Sequence, residues 1–318
     1  PNAAGCTTVN KMCGSGMKTT MMAHDALRAE TNEIMVAGGM ESMTNAPYIL
    51  QKARSGLRLG HGEMSDHMFL DGLEDVYEKG TLMGVFAERT AKSYGFTREE
   101  QDEFSIRSLT RAKTAIEDGS FKEEITPVSF QDRKGETVVE QDEQPLTANL
   151  EKIPRLRPAF EKEGTVTAAN SSSISDGAAA LVMMSESTAK KRGLTPLARI
   201  LGHSSFAQSP DWFTTAPIGA IKKLLEKVGW ATNDVDLFEI NEAFATVTMA
   251  AMKDLDLPAE KVNIHGGACA LGHPVGASGT RILVTLISAL RKYNKTRGVA
   301  SLCLGGGEAT AMAVEVLS

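Results

Sequence analysis

The chain has 318 residues, with 34 Lys plus Arg against 40 Asp plus Glu and a net charge of −6. Hydrophobic residues at 42% and charged residues at 23% are ordinary globular usage, which excludes wholesale disorder, collagen and coiled coil. The acidic balance leaves no global field to attract a phosphate backbone, which argues against nucleic acid as the main partner. No run approaches the ~18 apolar residues of a membrane span, and no basic and apolar leader opens the chain. Cys6, Cys13, Cys269 and Cys303 include no C-x-x-C pair. These features predict a cytoplasmic protein of roughly two domains, in a reducing compartment and without a metal.

Gly14, Ser15 and Gly16 predict a turn ahead of an amphipathic helix over 17–29, followed by a buried strand over 33–37 closed by Gly38 and Gly39. From Ser42 to about Ser175 the pattern is first polar and glycine-rich, then helical. Within it, Thr97 and Glu100 form a capping-box signal for a helix to Asp118, with Gly119 as its stop. Residues 125–130 and 137–140 read as a hairpin turning at Lys134 and Gly135. So long an insertion predicts a cap over an active site. Past Pro196 come a strand over 197–203, a helix over 217–228, a strand over 235–240 and a helix over 242–252. Gly276 to Gly279 then introduces a helix through Leu290, a strand over 298–303 and the triple glycine Gly305, Gly306 and Gly307.

Ser15-Gly16-Met17-Lys18 and Ser278-Gly279-Thr280-Arg281 hold equivalent places in two helix–strand units, which predicts duplication of one α/β block. The second copy carries roughly 80 residues before its glycine turn and the first roughly a dozen. The expectation is that a strand–helix–strand block is missing ahead of the first copy and that the chain is a fragment.

Cys13 lies just before a predicted helix, where free N–H groups and the helix dipole favour a thiolate. The glycines after it permit a sharp turn and a close approach of substrate to backbone N–H groups. A buried structural cysteine is the alternative, and a nucleophile needs a base. His273, in Gly272-His273-Pro274-Val275-Gly276, is a candidate for that base, since so much backbone freedom around one imidazole lets a reacting group come close. Cys303 ends a predicted strand beside a possible N–H nest at Gly305. A nucleophilic thiol, a base and a second acid/base are the requirements of two-step acyl transfer. Asn241 follows a predicted strand and either caps the next helix or points into the site. His61 and His67 match no zinc spacing, and no nucleotide-binding glycine fingerprint occurs.

Asn10-Lys11-Met12-Cys13-Gly14-Ser15-Gly16, Asn241-Glu242-Ala243-Phe244-Ala245, Gly272-His273-Pro274-Val275-Gly276-Ala277-Ser278-Gly279 and Cys303-Leu304-Gly305-Gly306-Gly307 resemble the four motifs of thiolases, in the same order. The resemblance spans all 318 residues and implies a five-layer αβαβα fold. Its two similar halves, with mixed sheets, would be 1–43 plus 175–195 and 196–318, with a cap over 44–174. It implies an acyltransferase acting on acyl-CoA and acetyl-CoA, with no tightly bound cofactor and with a homodimer or homotetramer as the assembly. Cys13 would be the acylated nucleophile, His273 its base, and Cys303 the acid/base acting on the second substrate. Asn241 would hold a water for an enolate oxyanion, and the Cys13 and Gly305 N–H groups would bind the tetrahedral intermediate. Leu73, Met83, Phe160, Ala168, Ser172, Ala243 and Phe244 would contact CoA.

Three positions depart from common family patterns. Leu82 precedes Met83-Gly84 where acetoacetyl-CoA-type members often have His, Leu146 stands where an Arg is frequent, and His265 stands where Asn is common. Two rivals remain on sequence grounds. One is a condensing enzyme of the same broad fold with a single cysteine, which the second thiol at Cys303 disfavours. The other is a non-catalytic thiolase-derived fragment.

Overall fold

In the computed structural model, which describes residues 2–133 and 135–317, helix α1 (Ser15–Arg28) leads into strand β1 (Ile34–Ser42). The segment 43–175 holds β2 (Tyr48–Leu50) paired with β3 (Met64–Asp66), helices α2 (Met83–Tyr94) and α3 (Arg98–Glu117), β4 (Val128–Asp132) paired with β5 (Gly135–Val139), and α4 (Glu143–Thr147). Next come β6 (Asp176–Met184), α5 (Glu186–Lys191), β7 (Ala198–Ala207), α6 (Ala216–Val228) and β8 (Leu237–Ile240). The chain finishes with α7 (Ala245–Asp254), α8 (Ala268–Leu271), α9 (Val275–Lys292), β9 (Arg297–Leu304) and β10 (Glu308–Val316).

The larger sheet runs β7-β10-β9-β8 and is mixed, with β8 parallel to β9 and the other pairs antiparallel. β1 and β6 form a second, antiparallel sheet. Helices α1 and α9 lie between the sheets. Met17, Met21, Ile282, Leu283 and Leu286 pack on Ala300, Leu302 and Met312 of the larger sheet, while Ala23 packs with Ala37 and Met183 of the smaller. Helix α6 covers the far face of the larger sheet, setting Ile221, Leu224 and Leu225 against Val299, Ala309 and Ala311. Burial of this apolar surface is the main source of stability, at roughly 25 cal/mol per Å².

The glycines shared by the two copies bring α1 and α9 together. A Cβ at Gly16 would lie 2.8 Å from the Thr280 nitrogen, and one at Gly279 would lie 2.3 Å from the Met17 nitrogen. The two contacts mirror one another about the repeated Ser-Gly pair, so close helix approach is the physical use of the repeat. This corrects the predicted turn at Gly14 to Gly16. Gly14 ends the 3-10 turn Met12–Gly14, Gly16 lies inside α1, and the left-handed residue is Met12, at φ 51°.

Strand β1 also runs on through Gly38 and Gly39 to Ser42, where closure at the glycines is predicted. A Cβ at Gly39 would sit 2.0 Å from the Gly276 carbonyl oxygen, so that glycine admits the start of α9 instead of ending the strand. The capping box at α3 has both bonds, Glu100 N donating to Thr97 Oγ1 at 3.2 Å and Thr97 N to Glu100 Oε2 at 2.8 Å. Gly119 follows that helix at φ 74°. The 128–139 hairpin pairs Asp132 with Gly135, and Lys134 of its predicted turn lies outside the described residues.

Candidate active site

Cys13 sits in the 3-10 turn that enters α1, partly buried, with its sulfur near the N–H of Gly305 and its own N–H. Those donors favour a thiolate, but burial outweighs them and pushes the thiol up to about 11. The helix start therefore does not ionise Cys13 as predicted, and its proton must leave to a base during attack. Gly305 is brought there by the turn between β9 and β10, where Gly306 and Gly307 adopt φ 98° and 89°. This places the nest predicted beside Cys303 against the other cysteine.

His273 is buried on the loop between α8 and α9. Its Nδ1 lies 2.5 Å from Ser278 Oγ, whose hydroxyl donates to the Pro274 carbonyl at 3.0 Å. With the serine proton so engaged, Ser278 Oγ accepts from Nδ1–H, and Nε2 carries the lone pair. Asn241 Nδ2 donates to that Nε2 at 3.4 Å. Burial, with Arg281 nearby, brings His273 down to about 4, so the ring is a neutral base at ordinary pH.

Asn241 does not cap a helix. The helix predicted from 242 begins at Ala245, with Phe244 in the N-cap position, and the released stretch 241–244 turns Asn241 toward His273. Its Oδ1 is buried and has no protein partner among the described residues.

Cys303 is wholly buried, and burial, reinforced by the neighbouring Cys13, holds its thiol well above the ordinary value. It belongs to an apolar cluster with Phe86, Val166, Phe213, Ala243, Phe244 and Val247, against which Met83 and Phe160 pack. Phe160 meets Phe244 edge to face at 6.0 Å and lies on Gly84, where a Cβ would come within 2.3 Å of its ring. Ser172 joins this wall by donating its N–H and its hydroxyl to the Ala243 carbonyl, each at 3.0 Å. Met83, Phe160, Ser172, Ala243 and Phe244 thus come together. Leu73, at the end of a π-helical turn over Phe69–Leu73, and the exposed Ala168 are not part of that cluster.

Two residues singled out by no motif argument hold the loops in register. Glu242 accepts from Ser108 Oγ at 2.7 Å, Asn263 Nδ2 at 2.8 Å and Cys269 N at 3.0 Å, joining the end of β8 to α3 and to the loop that leads to His273. Glu41 accepts from Gly276 N at 2.9 Å, capping the start of α9 with a carboxylate where the helix dipole favours one. The signal for Glu242 was its place beside Asn241; for Glu41, on the far side of the chain, there was none. His265 is structural, packed edge to face on Phe121 with Nε2 3.3 Å from the Tyr293 hydroxyl, and burial brings it down to about 4.

The arrangement offers two thiols, a neutral imidazole base and backbone N–H donors beside an apolar wall. Family profiles describe the same chain. The profile for the N-terminal domain of thiolase matches residues 1–187, and that for the C-terminal domain matches residues 194–316. An acetyl-CoA acetyltransferase of Escherichia coli is 50% identical over 313 residues, which are 98% of this chain and 79% of that protein. The crystal structure of the Bacillus anthracis acetyl-CoA acetyltransferase superposes with a TM-score of 0.94 at 45% identity, covering 97% of this chain and 78% of the other. An Ascaris suum thiolase crystallised in complex with coenzyme A superposes at 0.93 with 42% identity, covering 100% of this chain and 81% of the other. Agreement in sequence and in three dimensions over nearly the whole chain establishes that this protein belongs to the thiolase family, with the thiolase-like α/β fold.

Proposed function

We propose that the protein transfers an acyl group from an acyl-CoA to acetyl-CoA, reversibly giving a 3-ketoacyl-CoA, through an acyl thioester on Cys13. The observation that carries this reading is the neutral His273, with its lone pair on Nε2 where Asn241 Nδ2 donates to it, in a site whose two thiols are both held protonated.

The proton balance follows from those states. His273 Nε2 takes the Cys13 proton as sulfur attacks the thioester carbonyl, with the Gly305 and Cys13 N–H groups receiving the developing oxyanion. The carbon–sulfur bond to CoA breaks, and the departing CoA thiolate takes the Cys303 proton. The Cys303 thiolate, strongly basic in its apolar setting, then removes the α-proton of acetyl-CoA. His273, now protonated on Nε2, donates to the enolate oxygen, and Asn241 Oδ1, without a protein partner among the described residues, fits a water that does the same. The enolate attacks acyl-Cys13, and the released thiolate recovers its proton from His273. Both cysteines and the histidine end as they began.

The apolar wall of Met83, Phe160, Ala243 and Phe244 suits the pantetheine arm, and Ser172, Leu73 and Ala168 complete the proposed CoA contacts. The CoA complex of the Ascaris suum relative supports CoA as the substrate carrier. The division into 1–43 plus 175–195, 44–174 and 196–318 belongs to the same proposal. So do a homodimer or homotetramer, a cytoplasmic location supported by four free cysteines, and a place in fatty acid metabolism.

The test is intact mass after brief exposure to acetyl-CoA, with peptide mapping. Wild type should carry one acyl group on Cys13. Cys13→Ala should carry none, and Cys303→Ala should still acylate while carbon–carbon bond formation stops. Equal loss of acylation in both folded variants would overturn the division of roles.

A further inference from the structure

Away from the two reactive thiols, three side chains suited to metal ligation meet where α1 crosses the larger sheet. His24 and Asp25 lie on α1, and His203 lies on β7. Asp25 Oδ1 is 3.1 Å from His24 Nδ1 and 2.9 Å from His203 Nε2, and the three candidate ligand atoms all fall within 4.8 Å of one another. The two imidazoles stand edge to face with centroids 5.2 Å apart. Their side chains are 14% and 13% exposed, whereas Asp25 is 61% exposed and opens the group to solvent.

We propose that His24, Asp25 and His203 form a binding site for a divalent transition-metal ion of the zinc class, with two imidazole nitrogens and one carboxylate oxygen as ligands and water completing the shell. Tetrahedral zinc with bonds of about 2.0–2.1 Å keeps its ligand atoms about 3.3 Å apart. The two contacts to Asp25, at 3.1 and 2.9 Å, are a little shorter than that, and rotation of the exposed Asp25 carboxylate makes room for the ion. Each imidazole gives an N–H to the same carboxylate oxygen, which already aims the three groups at one point. Binding requires each neutral ring to carry its proton on the other nitrogen, Nε2 for His24 and Nδ1 for His203. Binding to the neutral rings releases no proton, and no covalent bond of the chain changes. Arg28 stands nearby as an opposing charge, and the Asp25 carboxylate offsets it at closer range.

Imidazole and carboxylate donors without a thiolate select the zinc, cobalt and nickel group over copper(I). His24 and Asp25 are adjacent in sequence and His203 is 178 residues beyond Asp25, so no spacing template could reveal the group. The ion would tie α1, whose entry turn carries Cys13, to the sheet of the other half.

The experiment is a titration of the full chain with Co2+ alone, followed by competition with Zn2+. The expected result is one equivalent with weak visible d–d bands, no thiolate-to-cobalt charge-transfer band, and displacement by Zn2+. His24→Ala and His203→Ala should each weaken binding at least tenfold while leaving thiolase turnover unchanged. His203→Gln, which retains bulk, serves if the alanine variant is unstable, and Zn2+ should raise the melting temperature of wild type but not of that variant. A thiolate band, binding indifferent to both histidine substitutions, or no saturation at stoichiometric metal would each overturn the proposal and leave the trio a hydrogen-bonded cluster.

Discussion

His273 Nδ1 and Ser278 Oγ lie 2.5 Å apart, and the Ser278 hydroxyl is committed to the Pro274 carbonyl at 3.0 Å. One turn of α9 therefore selects the tautomer of the base. Ser278→Ala removes the acceptor, frees the ring to carry its proton on Nε2, and leaves Nδ1–H buried without a partner. We expect kcat for acylation to fall about 100-fold, the low end of the range ascribed to general base catalysis, with KM little changed. Ser278→Thr should recover most of the loss. Equal activity in Ser278→Ala and wild type would show that the serine does not position His273.

The pH dependence of acylation follows from the two shifted groups. His273 is a free base above about pH 4, and Cys13 keeps its proton up to about pH 11. The competent pair, neutral imidazole with neutral thiol, is present throughout the interval between them. Single-turnover acylation should therefore be flat from pH 5.5 to 8, without the inflection near ~6.5 that an ordinary histidine shows. Such an inflection would mean that His273 is solvated in the working enzyme.

Stability should depend on pH in the same acid range. His265 and His273 are both lowered from 6.5 to about 4 by burial, so the unfolded chain binds more protons between those values. Folding stability is then fully present above about pH 6.5 and declines as pH falls toward 4, by of order 3 kcal/mol for each histidine. Denaturant midpoints at pH 7.5 and 5 measure this. His265→Asn should flatten the dependence, and an unchanged slope would remove His265 from the account.

Helix contact through the repeated glycines makes a steric prediction. Gly279→Ala drives a methyl to 2.3 Å from the Met17 nitrogen, and rigid backbone on both sides cannot yield cheaply. A loss of about 1–3 kcal/mol or more is expected, with loss of activity because α1 begins beside Cys13. Gly72→Ala, where nothing lies within 4 Å, is the control and should melt as wild type does.

Glu242 links three segments, and Glu242→Gln replaces an acceptor with a donor that faces Asn263 Nδ2, Ser108 Oγ or Cys269 N. At least one buried donor loses its partner, at about 1–3 kcal/mol. Because the loop it anchors leads to His273, kcat should fall further than stability alone explains. Parallel measurement of melting temperature and kcat separates the two effects.

Much of this was legible in the chain. The amphipathic pattern places α1, α6 and α9 within two or three residues of their expected bounds, and the α3 capping box is formed as written. Strands β6 and β10 were not foreseen. Their alanine-rich sequences, Gly177-Ala178-Ala179-Ala180 and Ala309-Thr310-Ala311-Met312-Ala313, carry little β propensity and are strands because β1 and β9 pair with them. The N-cap reading of Asn241 failed because local sequence cannot show that a buried histidine lies 3.4 Å away.

By itself the amino-acid sequence determined the helices, the duplication marked by two Ser-Gly pairs, and the residue types for acyl transfer, because periodicity, caps and glycine act over a few neighbours. Tertiary structure alone decided the protonation states of Cys13, His273 and Cys303. It also decided the meeting of His24 with His203. The reason is physical: desolvation and hydrogen-bond partnership depend on groups brought together from hundreds of residues apart, and no local pattern encodes which atoms will share a buried space.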